Sequence, residues 1–127
     1  MARHQSIADY DVVVVGSGIM GLSTAWALTR RPGTRVAVLE RAEIGHRQGS
    51  SSGRVRIART TYADPGYVRL MIRARDDAWT QLEKQLAKRL IRPVNGCFFG
   101  PEGGLVDAYA RGVAAAGGPA CRIPLKN

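Results

Sequence analysis

The sequence predicts an α/β fold built on a parallel sheet, and three observations predict it. Four valines, Val12 to Val15, follow Asp11 and run into a glycine. Ile19 to Arg30 then reads as a helix, with Ala25, Trp26 and Leu28 on its apolar faces and Pro32-Gly33 ending it. A second β-branched run, Arg35 to Glu40, comes next. A helix of this length between two strands allows a right-handed crossover, so the strands should lie parallel and adjacent. The all-apolar character of the first run suits a strand buried on both faces of such a sheet.

Residues 41–63 change character. Gly45, Gly49, Gly53 and the serines Ser50, Ser51 and Ser52 mark a loop, and Arg54, Arg56 and Arg59 follow in an alternating stretch. Asp64-Pro65 reads as an N-cap with proline at the first helical position. A long amphipathic helix is expected from there to about Leu90. Its apolar positions Val68, Met71, Ile72, Trp79, Leu82, Leu86 and Leu90 are spaced by threes and fours. Phe98-Phe99 is expected as a strand before the turn at Gly100-Pro101. Leu105 to Ala116 is expected as a short helix ended by Gly117-Gly118, and Arg122-Ile123 as the start of another strand.

The chain has 127 residues, the size of one domain. With 45% hydrophobic and 23% charged residues its composition is that of a globular protein and not of a disordered one. A net charge of +9 raises the question of nucleic acid. The arginines, however, are scattered from Arg3 to Arg122, with no basic tract and no aromatic–basic interleaving, so a solvated basic surface is the expectation. Cys97 and Cys121 fit no zinc or redox spacing and are expected to be buried or inert thiols, with no metal site. The polar stretch Met1 to Tyr10 lacks the apolar core of a signal peptide. The valine run is too short and too broken to span a membrane, so a cytoplasmic protein is expected.

The chemistry lies in Gly16-x-Gly18-x-x-Gly21, which follows the first strand and opens the helix. Gly16 permits the tight turn, Gly18 lets backbone approach a pyrophosphate, and Gly21 lets helix and strand pack closely. The pyrophosphate then meets the first helical amides, at Ile19 and Met20, and the positive end of the helix dipole. Glu40, followed by Arg41, ends the second strand about 20 residues on, where a carboxylate accepts hydrogen bonds from ribose hydroxyls and repels a 2′-phosphate. The fold expected is therefore Rossmann-like and FAD/NAD(P)-binding, with NADP disfavoured. An NAD domain continues directly into a third strand and helix. The serine, glycine and arginine loop after Glu40 interrupts that pattern and favours FAD.

With these residues set out, the chain resembles the glycine/D-amino-acid oxidase family of FAD enzymes, and within it the monomeric sarcosine oxidase and pipecolate oxidase branch. The resemblance rests on the stretch from Asp11 to Gly21, on Val38-Leu39-Glu40, and on Gly49-Ser50-Ser51-Ser52-Gly53 with Arg54, Arg56 and Arg59. Tyr62, Trp79, Leu82-Glu83 and Phe99-Gly100-Pro101 also match in order and spacing. It implies that Ser50, Ser51 and Ser52 contact the flavin and its phosphates, that Arg56 lies beside the flavin ring, and that Arg59 helps hold a substrate carboxylate. Arg56 and Arg59 are thus the candidate catalytic residues. Two positions depart from the branch: Ser52 stands where it usually has histidine, and Val55 where it usually has serine or threonine.

Members of that family are much longer, so the chain is expected to be an N-terminal portion of a two-domain flavoenzyme. Residues 1–64 would form the FAD-binding βαβ unit and flavin-contacting loop, and residues 65–127 the long helix and start of the substrate domain. The resemblance implies oxidation of the CH–NH bond of a secondary amine or amino acid by hydride transfer to flavin N5, with oxygen or another acceptor taking the electrons. The alternatives are a non-catalytic nucleotide-binding remnant and an NAD-linked dehydrogenase. Tyr62 and His46 are general-base candidates by chemistry alone, and His46, alone in a glycine loop, reads as a solvated side chain.

Overall fold

The computed structural model describes residues 9–53, 55–121 and 123. Arg54 and Arg122 of the expected arginine stretch and final strand lie outside the described residues. The chain divides into two compact units, residues 1–56 and 57–127.

The first unit holds β1 (Val12–Val15), α1 (Ile19–Thr29) and β2 (Val36–Leu39). The strands pair in parallel with Val12 opposite Val36 and Val15 opposite Leu39. The pair is closed at both ends. At the start, the Arg35 carbonyl accepts from the Asp11 and Val12 amides, and the Asp11 carboxylate accepts from the Arg35 amide at 2.7 Å. At the finish, the Gly16 amide donates to the Leu39 carbonyl at 2.7 Å.

Burial corrects the expectation of a strand covered on both faces. Val12 and Val14 are half-buried, while Val13 is 52% and Val15 83% exposed. One helix can cover one face of a two-stranded sheet, and α1, anchored by buried Ala25, is the only helix in this unit's described residues. Apolar surface left in this state costs about 25 cal/mol per Å² relative to burial.

The second unit starts with the expected cap. The Asp64 side chain accepts from the Gly66 amide at 2.6 Å, and Pro65 opens α2 (Pro65–Arg73). The backbone then widens into a π-helical segment, Ala74–Trp79, and returns to α3 (Thr80–Leu86). The helical run therefore ends four residues short of Leu90. Ala87 takes a left-handed conformation (φ 49°), and the Glu83 carboxylate accepts from the Leu90 and Ile91 amides at 2.6 and 2.8 Å. That carboxylate caps the returning chain in place of another helical turn. The same two hydrogen bonds, Ile91 first and Leu90 second, hold the Glu83 carboxyl below the usual range.

No strand forms at Phe98-Phe99. Phe98 packs its ring edge-on against Tyr109 at 5.4 Å, and Phe99 is 93% exposed. A strand needs a neighbour to take its backbone groups, and the described residues of this unit supply none. Nor are the cysteines buried: Cys97 and Cys121 both lie at the surface. The last helix, α4 (Leu105–Ala115), matches the expectation to one residue, and Gly117 leaves it at φ 72°.

The core of this unit is where α2 meets α4. Val68 is fully buried and Val113 nearly so. Gly112 sits directly against the backbone leading into α2. A Cβ there would stand 2.5 Å from the Ala63 carbonyl oxygen and closer still to that of Tyr62. Gly112→Ala is therefore expected to destabilise the second unit by about 1–3 kcal/mol in urea unfolding, as an overpacked core does. Gly96→Ala, whose Cβ would meet only the Phe98 ring at 3.8 Å, is expected to stay within about 0.5 kcal/mol.

Candidate nucleotide-binding site

The site forms at the carboxyl ends of β1 and β2. This is where a parallel sheet places its ligands, because the turns that leave those ends expose backbone amides. Gly16 turns the chain out of β1 at φ 98°, a conformation that favours glycine. Gly21 has a different reason. A Cβ on it would overlap the Gly16 carbonyl oxygen and press on the Val14 side chain, so helix and strand approach as closely as glycine alone allows. Gly18 is the N-cap of α1 in extended conformation and offers no side-chain cap of its own.

That cap comes from the serine loop. The Ser51 hydroxyl accepts from the Ile19 amide at 2.9 Å, and stands 3.1 Å from where a Gly18 Cβ would be. The loop and the glycine turn are thus one structure. Since a hydroxyl can accept and donate at once, Ser51 can take the helix amide and still offer its proton to an anion. Ile19 and Met20 expose their side chains, 53% and 78%, so what they bring to the turn is backbone.

Glu40 closes the site. One carboxylate oxygen, Oε2, accepts from the Ser17 amide at 2.8 Å and the Ser17 hydroxyl at 3.0 Å. The other, Oε1, accepts from the Ala42 amide at 3.1 Å and faces His46 Nε2 at 3.4 Å. These donors, the Ser17 amide foremost, hold the Glu40 carboxyl down at about 2. Arg41, next in the chain, is exposed.

The remaining serines and Arg56 form a neighbouring turn. The Ser52 hydroxyl donates to the Gly49 carbonyl at 3.1 Å, and the Arg56 guanidinium folds back to donate to the carbonyls of Ser50 and Ser52. Arg56 thereby staples the loop that carries Ser51. Arg59 belongs to the second unit. Its guanidinium lies over the Tyr62 ring at 4.6 Å and the Tyr109 ring at 5.4 Å. Hydrogen bonding to Tyr62 leads the interactions that raise its pKa further.

The contacts of two residues of this site are not evident from the sequence. Ser17 is a variable position inside the glycine motif, and only the return of Glu40 to the turn reveals its double donation. His46 is not simply solvated. Its side chain is 22% exposed, its Nδ1 accepts from the Gln48 amide at 3.1 Å, and its Nε2 faces Glu40. Its place six residues after the acid, in a loop tight enough to return, was the available signal.

The arrangement fits an adenine dinucleotide. The glycines bring no side chains of their own to the turn, the Ser51 hydroxyl that caps the Ile19 amide stands at the pyrophosphate's approach with the helix dipole behind it, and an ionised carboxylate waits at the strand ends. Among the described residues no helix is long and apolar enough to cross a membrane.

Residues 11–125 match a protein family described as FAD dependent oxidoreductase. A putative sarcosine oxidase of Caenorhabditis elegans is 43% identical over 74 residues, 58% of this chain and 18% of that one. Monomeric sarcosine oxidase of Arthrobacter sp. (strain TE1826) is 33% identical over 75% of this chain and 24% of its own length. Human peroxisomal sarcosine oxidase is 36% identical over 65% and 21%. Among solved structures, the open form of a variant of NikD, an unusual amino acid oxidase essential for nikkomycin biosynthesis, superposes with a TM-score of 0.66. It shares 33% identity and covers 85% of this chain and 28% of that one. The chain thus spans about a quarter or less of the curated relatives it matches.

The Glu40 carboxyl, ordinarily near 4.5 and held at about 2 in the fold, makes stability depend on acid. A depressed carboxyl contributes fully above the unfolded value and loses that contribution as pH falls toward the folded one. The melting temperature is expected to drop between about pH 4.5 and pH 2. In Glu40→Gln that part of the drop should vanish, and a pH profile unchanged by the substitution would contradict the assignment.

Proposed function

Because the chain belongs to the FAD dependent oxidoreductase family, we propose that it carries the ADP-binding part of a flavoenzyme that oxidises the CH–NH bond of a secondary amine or amino acid, sarcosine- or pipecolate-like. The observation that supports this most is the bridge from Glu40 to Ser17, which sets an ionised carboxylate beside a glycine turn. The relatives named as sarcosine oxidases, and one named N-methyl-L-tryptophan oxidase, support the amine class.

In this reading Gly16, Gly18 and Gly21 clear the approach for the pyrophosphate, and the helix start at Ile19 and Met20, capped by the Ser51 hydroxyl, faces its negative charge. Glu40 takes the ribose hydroxyls, with Arg41 next to it at the rim. Ser50, Ser51 and Ser52 contact the phosphates and flavin, and Arg56 biases the charge at the ring. Arg59 holds the substrate carboxylate. The Tyr62 and Tyr109 rings lie against the Arg59 guanidinium, whose planar edge suits a bidentate carboxylate. Bound FAD would supply the hydride acceptor for the CH–NH bond, with oxygen or another acceptor as the final oxidant. Residues 65–127 begin the substrate domain. The proposed compartment is the cytoplasm, although two relatives are named as peroxisomal enzymes, and fractionation of cells expressing the protein decides between them.

A thermal melt of the 127-residue chain with FAD, ADP, NAD or no ligand tests the cofactor assignment. FAD and ADP are expected to raise the melting temperature, by about 2.7 kcal/mol of added stability at a hundredfold excess over the dissociation constant. Stabilisation by NAD alone would contradict it.

A further inference from the structure

The Glu40 carboxylate is already crowded. A carboxylate offers about four lone-pair positions: three take hydrogen bonds, from the Ser17 amide and hydroxyl at Oε2 and the Ala42 amide at Oε1, and His46 Nε2 stands 3.4 Å from Oε1 as an ion-pair contact at the remaining side. Little of the group is left for solvent, since its side chain is 12% exposed and that of His46 is 22% exposed. A ribose diol brings two further donors to the same two oxygens, so one or more of the present donors must leave. The two amides cannot leave without undoing the turns that define the site. The Ser17 hydroxyl and the His46 imidazole can, by rotation of a side chain.

His46 is also set for this position. The Gln48 amide donates to its Nδ1 at 3.1 Å, so the proton of the neutral ring sits on Nε2, the nitrogen that faces Glu40. A backbone hydrogen bond thus fixes the tautomer that can occupy the carboxylate.

We propose that His46 is a latch on the nucleotide site: it holds the Glu40 oxygen that a ribose hydroxyl needs, and must swing away for the adenosine half of the cofactor to bind. The proposal rests on the reading of Glu40 as the ribose acceptor. His46 acts against binding, as a competitor internal to the chain, and sets how much of the ribose contact appears as affinity. Removing it frees one acceptor position on Oε1. The gain is confined to ligands that have the hydroxyl to use it.

Titration calorimetry of the 127-residue chain and of His46→Ala with ADP and 2′,3′-dideoxy-ADP tests this. His46→Ala is expected to bind ADP about three- to tenfold more tightly, the worth of one hydrogen bond no longer contested, with dideoxy-ADP unchanged. His46→Gln, which keeps an N–H donor, is expected to stay near the parent value. Equal or weaker ADP binding by His46→Ala overturns the latch and leaves the nucleotide site standing. A change of the same size for both ligands also overturns it, because a purely structural role would not distinguish them. Absence of ADP binding by both the parent chain and His46→Ala overturns the nucleotide reading itself, and the latch with it.

Discussion

The two hydrogen bonds from Ser17 to the Glu40 carboxylate join the carboxyl ends of β1 and β2, and the site depends on them. They draw the end of β2 against the glycine turn, next to the Gly16-to-Leu39 bond that finishes the ladder. They place a carboxylate held far below its ordinary range a few residues from the positive end of α1. With Glu40 fixed, the Ala42 amide and His46 are gathered to its second oxygen, and the loop that follows turns back so that Ser51 can cap α1. The Arg56 staple then closes the serine turn. The parts are separated along the chain, and the acid and the helix amide are what bring them to one place.

How much of this was legible in the sequence follows from which interactions are local. The valine run, the glycine turn, the helix behind it and the Asp64-Pro65 cap are decided within a few residues, and the structure places each within about a residue of its expected position. Glycine reports directly on backbone geometry, so the roles of Gly16 and Gly21 could be argued before any coordinates. The misses are tertiary. The end of the long helix is set by Glu83 reaching forward to Leu90 and Ile91, a contact that no helical periodicity encodes. Phe98-Phe99 has strand-like residues but no neighbour to pair with, and an aromatic contact with Tyr109 takes its place. Ser17 and His46 matter only because Glu40 returns to them.

The two units expose their apolar surface differently. In the first, Val13, Val15 and Leu39 are each more than half exposed on the sheet. In the second, Val68 and Val113 form a small core where α2 meets α4, while Phe99, Val94 and Leu105 remain open. Polar interactions carry much of the organisation in both: the Glu40 cluster in one, and in the other the Glu83 cap and the tyrosine-flanked Arg59. Such contacts fix geometry well and add modest stability, so a bound nucleotide is expected to matter to the fold of the first unit as well as to its chemistry.

The most direct measurement is an amide spectrum of the nitrogen-15-labelled chain titrated with ADP. The largest changes are expected at Gly16, Ser17, Gly18, Ile19, Glu40 and Ala42, with the amides of α2 and α4 unmoved, because the ADP half of the cofactor meets the glycine turn and the acid. Saturable changes centred on α2 or α4, with the glycine turn unmoved, would contradict the placement of the nucleotide at Glu40.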